Sequence, residues 1–203
     1  MHTELRFISL LTDRLVLREL EPGDVDAMYD LLGDAEAMKY FPRTCTREEA
    51  VQWIERNQRR YRIFGYGLWA VVLRDTNEVL GDCGPTWHEI NNELQLEVGY
   101  HFRRCYWGKG YAGEAARAVI EWSFENVAVD HVISLIRLEN MPSRRVAERN
   151  GLVIAGSAMF RGMEHLVYKM ERERWQAAGR CQPERQQESN SAICNRARTS
   201  SNL

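Results

Sequence analysis

A chain of 203 residues is long enough for one domain with a complete core. Its 27 basic and 29 acidic side chains leave a net charge of −2, so charge gives no argument for nucleic acid as a partner. No apolar stretch approaches the roughly 18 residues that a membrane-crossing helix needs. The five scattered cysteines lack metal-ligand spacing, so we expect reduced thiols, a cytoplasmic location and no bound metal. Glu4 and Asp13 break the apolar patch near the N-terminus, and no signal peptide is expected.

Residues 1–9 read as an extension. A strand is predicted over about 14–20, then a helix with Asp24 as its N-cap and Val25, Met28, Leu31 and Leu32 on one face. Thr46 and Glu49 form a capping box that opens a second helix, to about Phe64. Leu68 to Leu73 and Glu78 to Pro85 read as a hairpin through Asp75-Thr76-Asn77. From Leu94 to Phe102, Leu94, Leu96, Val98, Tyr100 and Phe102 alternate with Gln95, Glu97, Gly99 and His101, as in a strand. A helix over 110–126, a strand over His131 to Arg137 and a short helix over 142–150 ended by Gly151 follow. A closing hairpin, 152–160 and 164–171, turns over Arg161-Gly162-Met163. The pattern gives an α+β domain over 10–176. Residues 177–203 are rich in Gln, Ser, Asn and Arg and nearly free of large apolar side chains, and they read as a disordered tail.

The most informative run is Arg103-Arg104-Cys105-Tyr106-Trp107-Gly108-Lys109-Gly110-Tyr111-Ala112-Gly113-Glu114, between a strand and a helix. Glycines there let the backbone gather its N–H groups, and the helix start adds unpaired N–H groups and partial positive charge. That combination suits a phosphate or pyrophosphate. No Lys-Ser/Thr pair follows Gly110, so this is not a Walker A loop. No third glycine follows where helix meets sheet, so it is not a dinucleotide fingerprint.

The run resembles motif A of the GCN5-related N-acetyltransferase (GNAT) superfamily, with Cys105 where that pattern has Gln or Arg. Tyr106 to Ala115 is similar to the branch that contains the ribosomal-protein N-terminal acetyltransferases. Thr12 to Arg18, Val79 to Gly84, Glu97 to Tyr100, and Glu139 to Val146 followed by Asn150-Gly151-Leu152 resemble the opening strand, third strand, pre-loop strand and motif B. The resemblance implies the GNAT fold: a mixed, mostly antiparallel sheet, helices on both faces, and a V-shaped splay between the strands 94–102 and 131–137.

It also implies acetyl-CoA as co-substrate, with no metal. Cys105, Gly108, Lys109, Gly110, Tyr111 and Ala112 would hold the pyrophosphate. The backbone around Tyr100 and Phe102 would pair with the pantetheine arm, and Asn140 and Ser143 would lie near it. Backbone N–H groups in the cleft would stabilise charge developing on the acetyl oxygen. Many relatives carry a general-acid Tyr seven residues after the Asn; here that position is Ala147. The resemblance then leaves Ser143 as acid, and Glu97, on the strand lining the cleft, as base, with His88 and His101 as further candidates. Cys105, beside Arg103 and Arg104, is a candidate reactive thiol. The expected acceptor is a protein or peptide N-terminal α-amine. A small-molecule amine (amino acid, polyamine or antibiotic) is the alternative, and a non-catalytic acyl-CoA-binding module is the rival class. The segment Thr86 to Glu93, with Glu89 and Glu93, is expected on the acceptor side, where acidity suits a cationic amine. A monomer or homodimer is expected.

Overall fold

The computed structural model describes residues 9–180. Eight strands form one sheet: β1 (Leu10–Leu11), β2 (Leu15–Arg18), β3 (Trp69–Leu73), β4 (Val79–Ile90), β5 (Glu93–Phe102), β6 (His131–Ile136), β7 (Val153–Phe160) and β8 (Met163–Glu171). Their order is β1-β2-β3-β4-β5-β6-β8-β7. Every pairing is antiparallel except β5 with β6, which is parallel. The helices are α1 (Val25–Leu32), α2 (Arg47–Phe64), α3 (Tyr111–Asn126), α4 (Met141–Arg149) and α5 (Arg172–Arg180).

The period-2 alternation of the strands divides the core into two layers. Leu15, Leu17, Trp69 and Val71 pack with Ala115, Val119, Ile120 and Phe124 of α3. Ala70 and Val72 turn the other way, against Met28, Leu31 and Leu32 of α1 and Ala50 and Ile54 of α2. The central strand β3 is therefore covered on both faces, which is why its sequence, Trp-Ala-Val-Val-Leu, is apolar throughout.

Local signals set the helix ends. Thr46 accepts a hydrogen bond from the Glu49 amide and Glu49 accepts one from the Thr46 amide, a reciprocal box. Arg43 binds the same carboxylate and, with the Thr46 amide, holds it down at about 2. Gly65, at φ 81°, ends α2.

The boundaries depart from the expectation at three places. Asp24 does not cap α1 with its side chain. Its carboxylate instead takes both ends of the Arg18 guanidinium, at 2.7 Å each, and the Glu21 amide. β4 continues through Ile90 and turns into β5 over Asn91 and Asn92, both at positive φ, so Thr86 to Glu93 is a long hairpin and not a loop. α5 carries regular structure to Arg180, past the boundary placed at 176. Residues 1–8 of the extension and 181–203 of the tail lie outside the described residues.

Candidate active site

The loop between β5 and α3 is built by close backbone control. The Trp107 indole donates to the Phe102 carbonyl at 2.7 Å, and the Arg103 amide donates to the Leu80 carbonyl at 2.8 Å. Gly108 and Gly110 have φ of 76° and 83°, a conformation that costs an L side chain about 1–2 kcal/mol. Gly110 is the N-cap of α3 and offers no side chain, so the amides of Tyr111, Ala112 and Gly113 have no hydrogen-bond partner among the described residues. Arg14, on the loop preceding β2, clamps the assembly. It donates to the Glu114 carboxylate at 2.7 Å and the Lys109 carbonyl at 3.0 Å, and its guanidinium lies 4.5 Å from the Tyr111 ring centre.

These amides open on a cleft of about 1380 Å³ that Gly108, Gly110, Tyr111, Ala112 and Gly113 line at one end. Arg117 of α3 and Arg145 and Arg149 of α4 also line the cleft. The sequence reading missed these three. The i, i+4 spacing of Arg145 and Arg149 on a short helix was the available signal.

Midway, the cleft passes between β5 and β6. Their main chains share one registered pair, Glu97 opposite Ile133. Beyond it the strands part, and side chains bridge the gap. The Ser134 hydroxyl donates to the Val98 carbonyl at 2.8 Å, and the Leu135 amide donates to a Glu97 carboxylate oxygen at 3.2 Å. Farther along, the Tyr100 hydroxyl donates to the Ser143 carbonyl at 3.1 Å. Burial pushes the Tyr100 phenol up, so it stays a neutral donor. Asn140 caps α4 by accepting from the Ser143 amide at 3.2 Å. Ser143 lines the cleft, with its side chain beside the Tyr100 phenol. Ala147 is 3% exposed and packed in the core, so no hydroxyl reaches the cleft from there.

Past the splay lies a second, more polar half. Glu97, His88 and His101 line it with Thr86, Phe41 and Phe160. His88 Nε2 sits 2.9 Å from the second Glu97 oxygen and 3.0 Å from the Thr86 hydroxyl. Burial disfavours the Glu97 anion, but the His88 bond and charge and the Leu135 amide outweigh it and hold the carboxyl below its usual range. When Nε2 carries the proton toward Glu97, the lone pair of a neutral His88 is on Nδ1. His101 Nδ1 is 2.6 Å from Asp82, which also accepts from the Trp53 indole at 2.8 Å.

Of the residues singled out in the sequence, Glu97, Tyr100, Phe102, Gly108, Gly110, Tyr111, Ala112, Asn140 and Ser143 all line this one cleft. Cys105 and Lys109 do not: Cys105 is exposed in the turn Arg104–Tyr106, and the Lys109 ammonium lies 5.3 Å from the Tyr106 ring centre. Glu89 and Glu93 are exposed on the hairpin and are not part of the cleft wall, whereas Thr86 and His88 of the same segment are. Strand alternation accounts for this, since Thr86 and His88 face in and Glu89 faces out.

A glycine loop at a helix start, a parted pair of parallel strands and a continuous cleft between them define an acyl-CoA-type transferase fold. The chain belongs to the acetyltransferase (GNAT) domain family, whose profile matches residues 14–153, and it is an acetyl-CoA-dependent N-acetyltransferase. YkkB of Bacillus subtilis is 37% identical over 144 residues, spanning 70% of this chain and 84% of that protein. YdaF of Bacillus subtilis, provisionally named a ribosomal N-acetyltransferase, is 30% identical over 183 residues, spanning 84% of this chain and 98% of that one. The crystal structure of a GNAT-family acetyltransferase from Bacillus anthracis superposes with a TM-score of 0.70 at 26% identity, covering 82% of this chain and 99% of that one. Among the described residues no helix is long and apolar enough to cross a membrane, and no group of three or more His, Cys, Asp or Glu is placed to hold a metal.

Proposed function

We propose that this acetyltransferase delivers the acetyl group of acetyl-CoA to an α-amine by direct attack within a ternary complex. The observation that carries the reading is the continuity of the cleft. Unpaired amides stand at one end, the His88–Glu97 pair at the other, and the β5–β6 splay between them.

Each part has a job in this reading. The amides of Tyr111, Ala112 and Gly113, with Arg117, Arg145 and Arg149, fit the negative charge of a pyrophosphate and its neighbouring phosphate. The parted edge of β5 offers main-chain groups to an extended amide-bearing arm. The thioester supplies the acetyl group and a thiol leaving group. The amine must lose a proton to attack, and His88, oriented by Glu97, takes it; Glu97 thus acts through His88, as the carboxylate of a catalytic triad acts through its histidine. The Ser143 hydroxyl, on the opposite wall, gives a proton to the departing sulfur. An α-amine has a pKa near 7.7–8.0 and a lysine near 10.4, so a modest base such as His88 serves the former far better. The name of YdaF points the same way, toward a protein N-terminus.

The test is thiol release from acetyl-CoA over a panel of peptides, amino acids and polyamines. Acceptor-dependent release, without a stoichiometric burst before acceptor is added, supports direct transfer. No release with any acceptor favours a non-catalytic acyl-CoA-binding module.

A further inference from the structure

We propose that Arg56, Arg60 and Arg161 form an anion subsite that selects acceptors carrying a carboxylate close to the amine. The proposal rests on the acetyltransferase reading above and names the acceptor class for that same cleft.

The three guanidinium groups line the acceptor half of the cleft from two separate elements, α2 and the β7–β8 turn. Each is held in place without a carboxylate. Arg60 donates to the Asn57 side-chain oxygen at 3.0 Å, and Asn57 is 1% exposed and fixed in turn by its bond to the Trp53 carbonyl. The Arg56 guanidinium lies 5.5 Å from the Trp53 ring centre and that of Arg161 lies 5.0 Å from the Phe160 ring centre. Among the described residues none of the three has an acidic partner, whereas Arg14, Arg18, Arg43, Arg47 and Arg103 all do. Two carboxylates beside this part of the cleft are already committed, Glu97 to His88 and Asp82 to His101 and Trp53.

The three positive charges also feel one another. Burial, then the charges of Arg56 and Arg161, lower the pKa of Arg60 from its ordinary value. Gathering like charges on a cleft wall with no carboxylate in direct contact is unfavourable, and an arriving anion relieves it. A guanidinium fork also matches the planar carboxylate in geometry, as a point charge does not. Arg161 holds a left-handed backbone conformation, φ 50°, that is uncommon for a residue with a side chain.

The subsite stands next to the chemistry. Phe160 contacts the Arg161 guanidinium and, 4.9 Å between ring centres, the His88 ring. A single aromatic ring therefore separates the cation cluster from the proton acceptor assigned to the amine. One small acceptor with an amine and a carboxylate on neighbouring atoms spans that separation. The carboxylate can be the α-carboxylate of a free amino acid, or an acidic side chain at the second position of a peptide N-terminus.

Matched acceptor pairs decide the matter and separate the two sources. The first pair is a free α-amino acid and its carboxamide; the second is a peptide with Asp or Asn at its second position. We expect the carboxylate member of at least one pair to be favoured about tenfold or more in kcat/KM. In Arg60→Gln and in Arg161→Gln that preference should fall severalfold, through KM, with the neutral member unchanged. The carboxamide is the less basic amine and so the better nucleophile at neutral pH, which works against the expected result. Equal kcat/KM within both pairs, or full discrimination kept by both variants, overturns the subsite. Arg161 lies in an exposed turn, so its variant keeps the test valid even where Arg60→Gln perturbs folding. Absence of turnover with every acceptor counts against the acetyltransfer reading instead. In that event an N-acetyl amino acid and its amide, compared by thermal shift on wild type and Arg161→Gln, still decide the subsite. A shift specific to the acid and lost in the variant supports it, and no difference overturns it.

Discussion

The Tyr100 hydroxyl reaches across the mouth of the splay and donates to the backbone carbonyl of Ser143. This one bond ties β5, which would carry the pantetheine contacts, to the first turn of α4, which carries the proposed acid. Tyr100→Phe removes the donor alone. We expect a stability loss of about 1 kcal/mol in denaturant titration, the usual net worth of such a bond, and a severalfold rise in the KM for acetyl-CoA. An unchanged KM would show that α4 holds its position without the tie.

Gly108 and Gly110 test the phosphate end. Gly110→Val forces a β-branched side chain into φ 83° and brings its Cβ within 3.4 Å of the Arg14 guanidinium. Coenzyme A at a hundredfold excess over Kd should stabilise the wild type by about 2.7 kcal/mol, read as a rise in Tm. That rise should vanish in Gly108→Val and Gly110→Val while the proteins still unfold cooperatively. A rise that survives both substitutions places the ligand elsewhere.

For the proton acceptor, Glu97→Gln and His88→Ala should each lower kcat by about ten- to a thousandfold, overlapping the usual range for acid–base groups. The deficit should shrink as pH rises above the amine's pKa, because the amine then arrives neutral. Wild-type kcat for either variant at pH 6.5 removes that residue from the mechanism. Ser143→Ala should lower kcat in the same range with acetyl-CoA binding largely kept.

Stability adds an independent pH test for Glu97. Its folded pKa is lowered, so the charged carboxylate contributes stability above the unfolded value near 4.3, and that contribution is lost as pH falls through the folded pKa. Glu97→Gln should therefore be less stable than wild type at pH 7, with the gap closing below about pH 4. A gap that stays open well below about pH 4 contradicts the assigned stabilisation of the Glu97 carboxylate.

Arg172 closes α3. It donates to the carbonyls of Phe124, Val127 and Val129 at 2.7, 3.0 and 2.8 Å and lies over the Phe124 ring. The end of α3 has no glycine cap, and this side chain does the work of one. Arg172→Ala should cost about 2 kcal/mol in unfolding free energy, since bonds from a charged donor are the stronger kind. A loss below about 0.5 kcal/mol would mean solvent replaces it.

Legibility followed sequence distance. The strand 94–102, the glycine loop and the Thr46–Glu49 box are local patterns, and each lies where its spacing places it. The β4–β5 turn was readable in principle, because Asn91-Asn92 between apolar runs suits the positive φ of a two-residue hairpin. Glu89 faces away from the cleft because strand alternation continues past Pro85 to Ile90. Arg172 could not be recognised as a helix cap, since its three acceptors lie more than forty residues upstream. The same holds for the Arg56, Arg60 and Arg161 cluster, whose members come from α2 and from the far later β7–β8 turn. The role of Glu97 shifted for a related reason: its contacts with His88 and Leu135 come from two different strands.

Since β5 and β6 share a single registered pair, the sheet is mechanically two ladders, β1 to β5 and β6-β8-β7. Hydrogen-bond continuity, which normally makes a sheet open and close as one cooperative unit, is interrupted at its centre. The ladders then behave as separate foldons coupled through α3, α4 and a few side-chain bridges. Amide exchange should show the shorter ladder opening at a lower free energy than the longer one in the free protein. In the proposed binding mode coenzyme A crosses the seam and should bring the two protection levels together, so that the co-substrate would complete the cooperativity of the fold as well as the chemistry of the site.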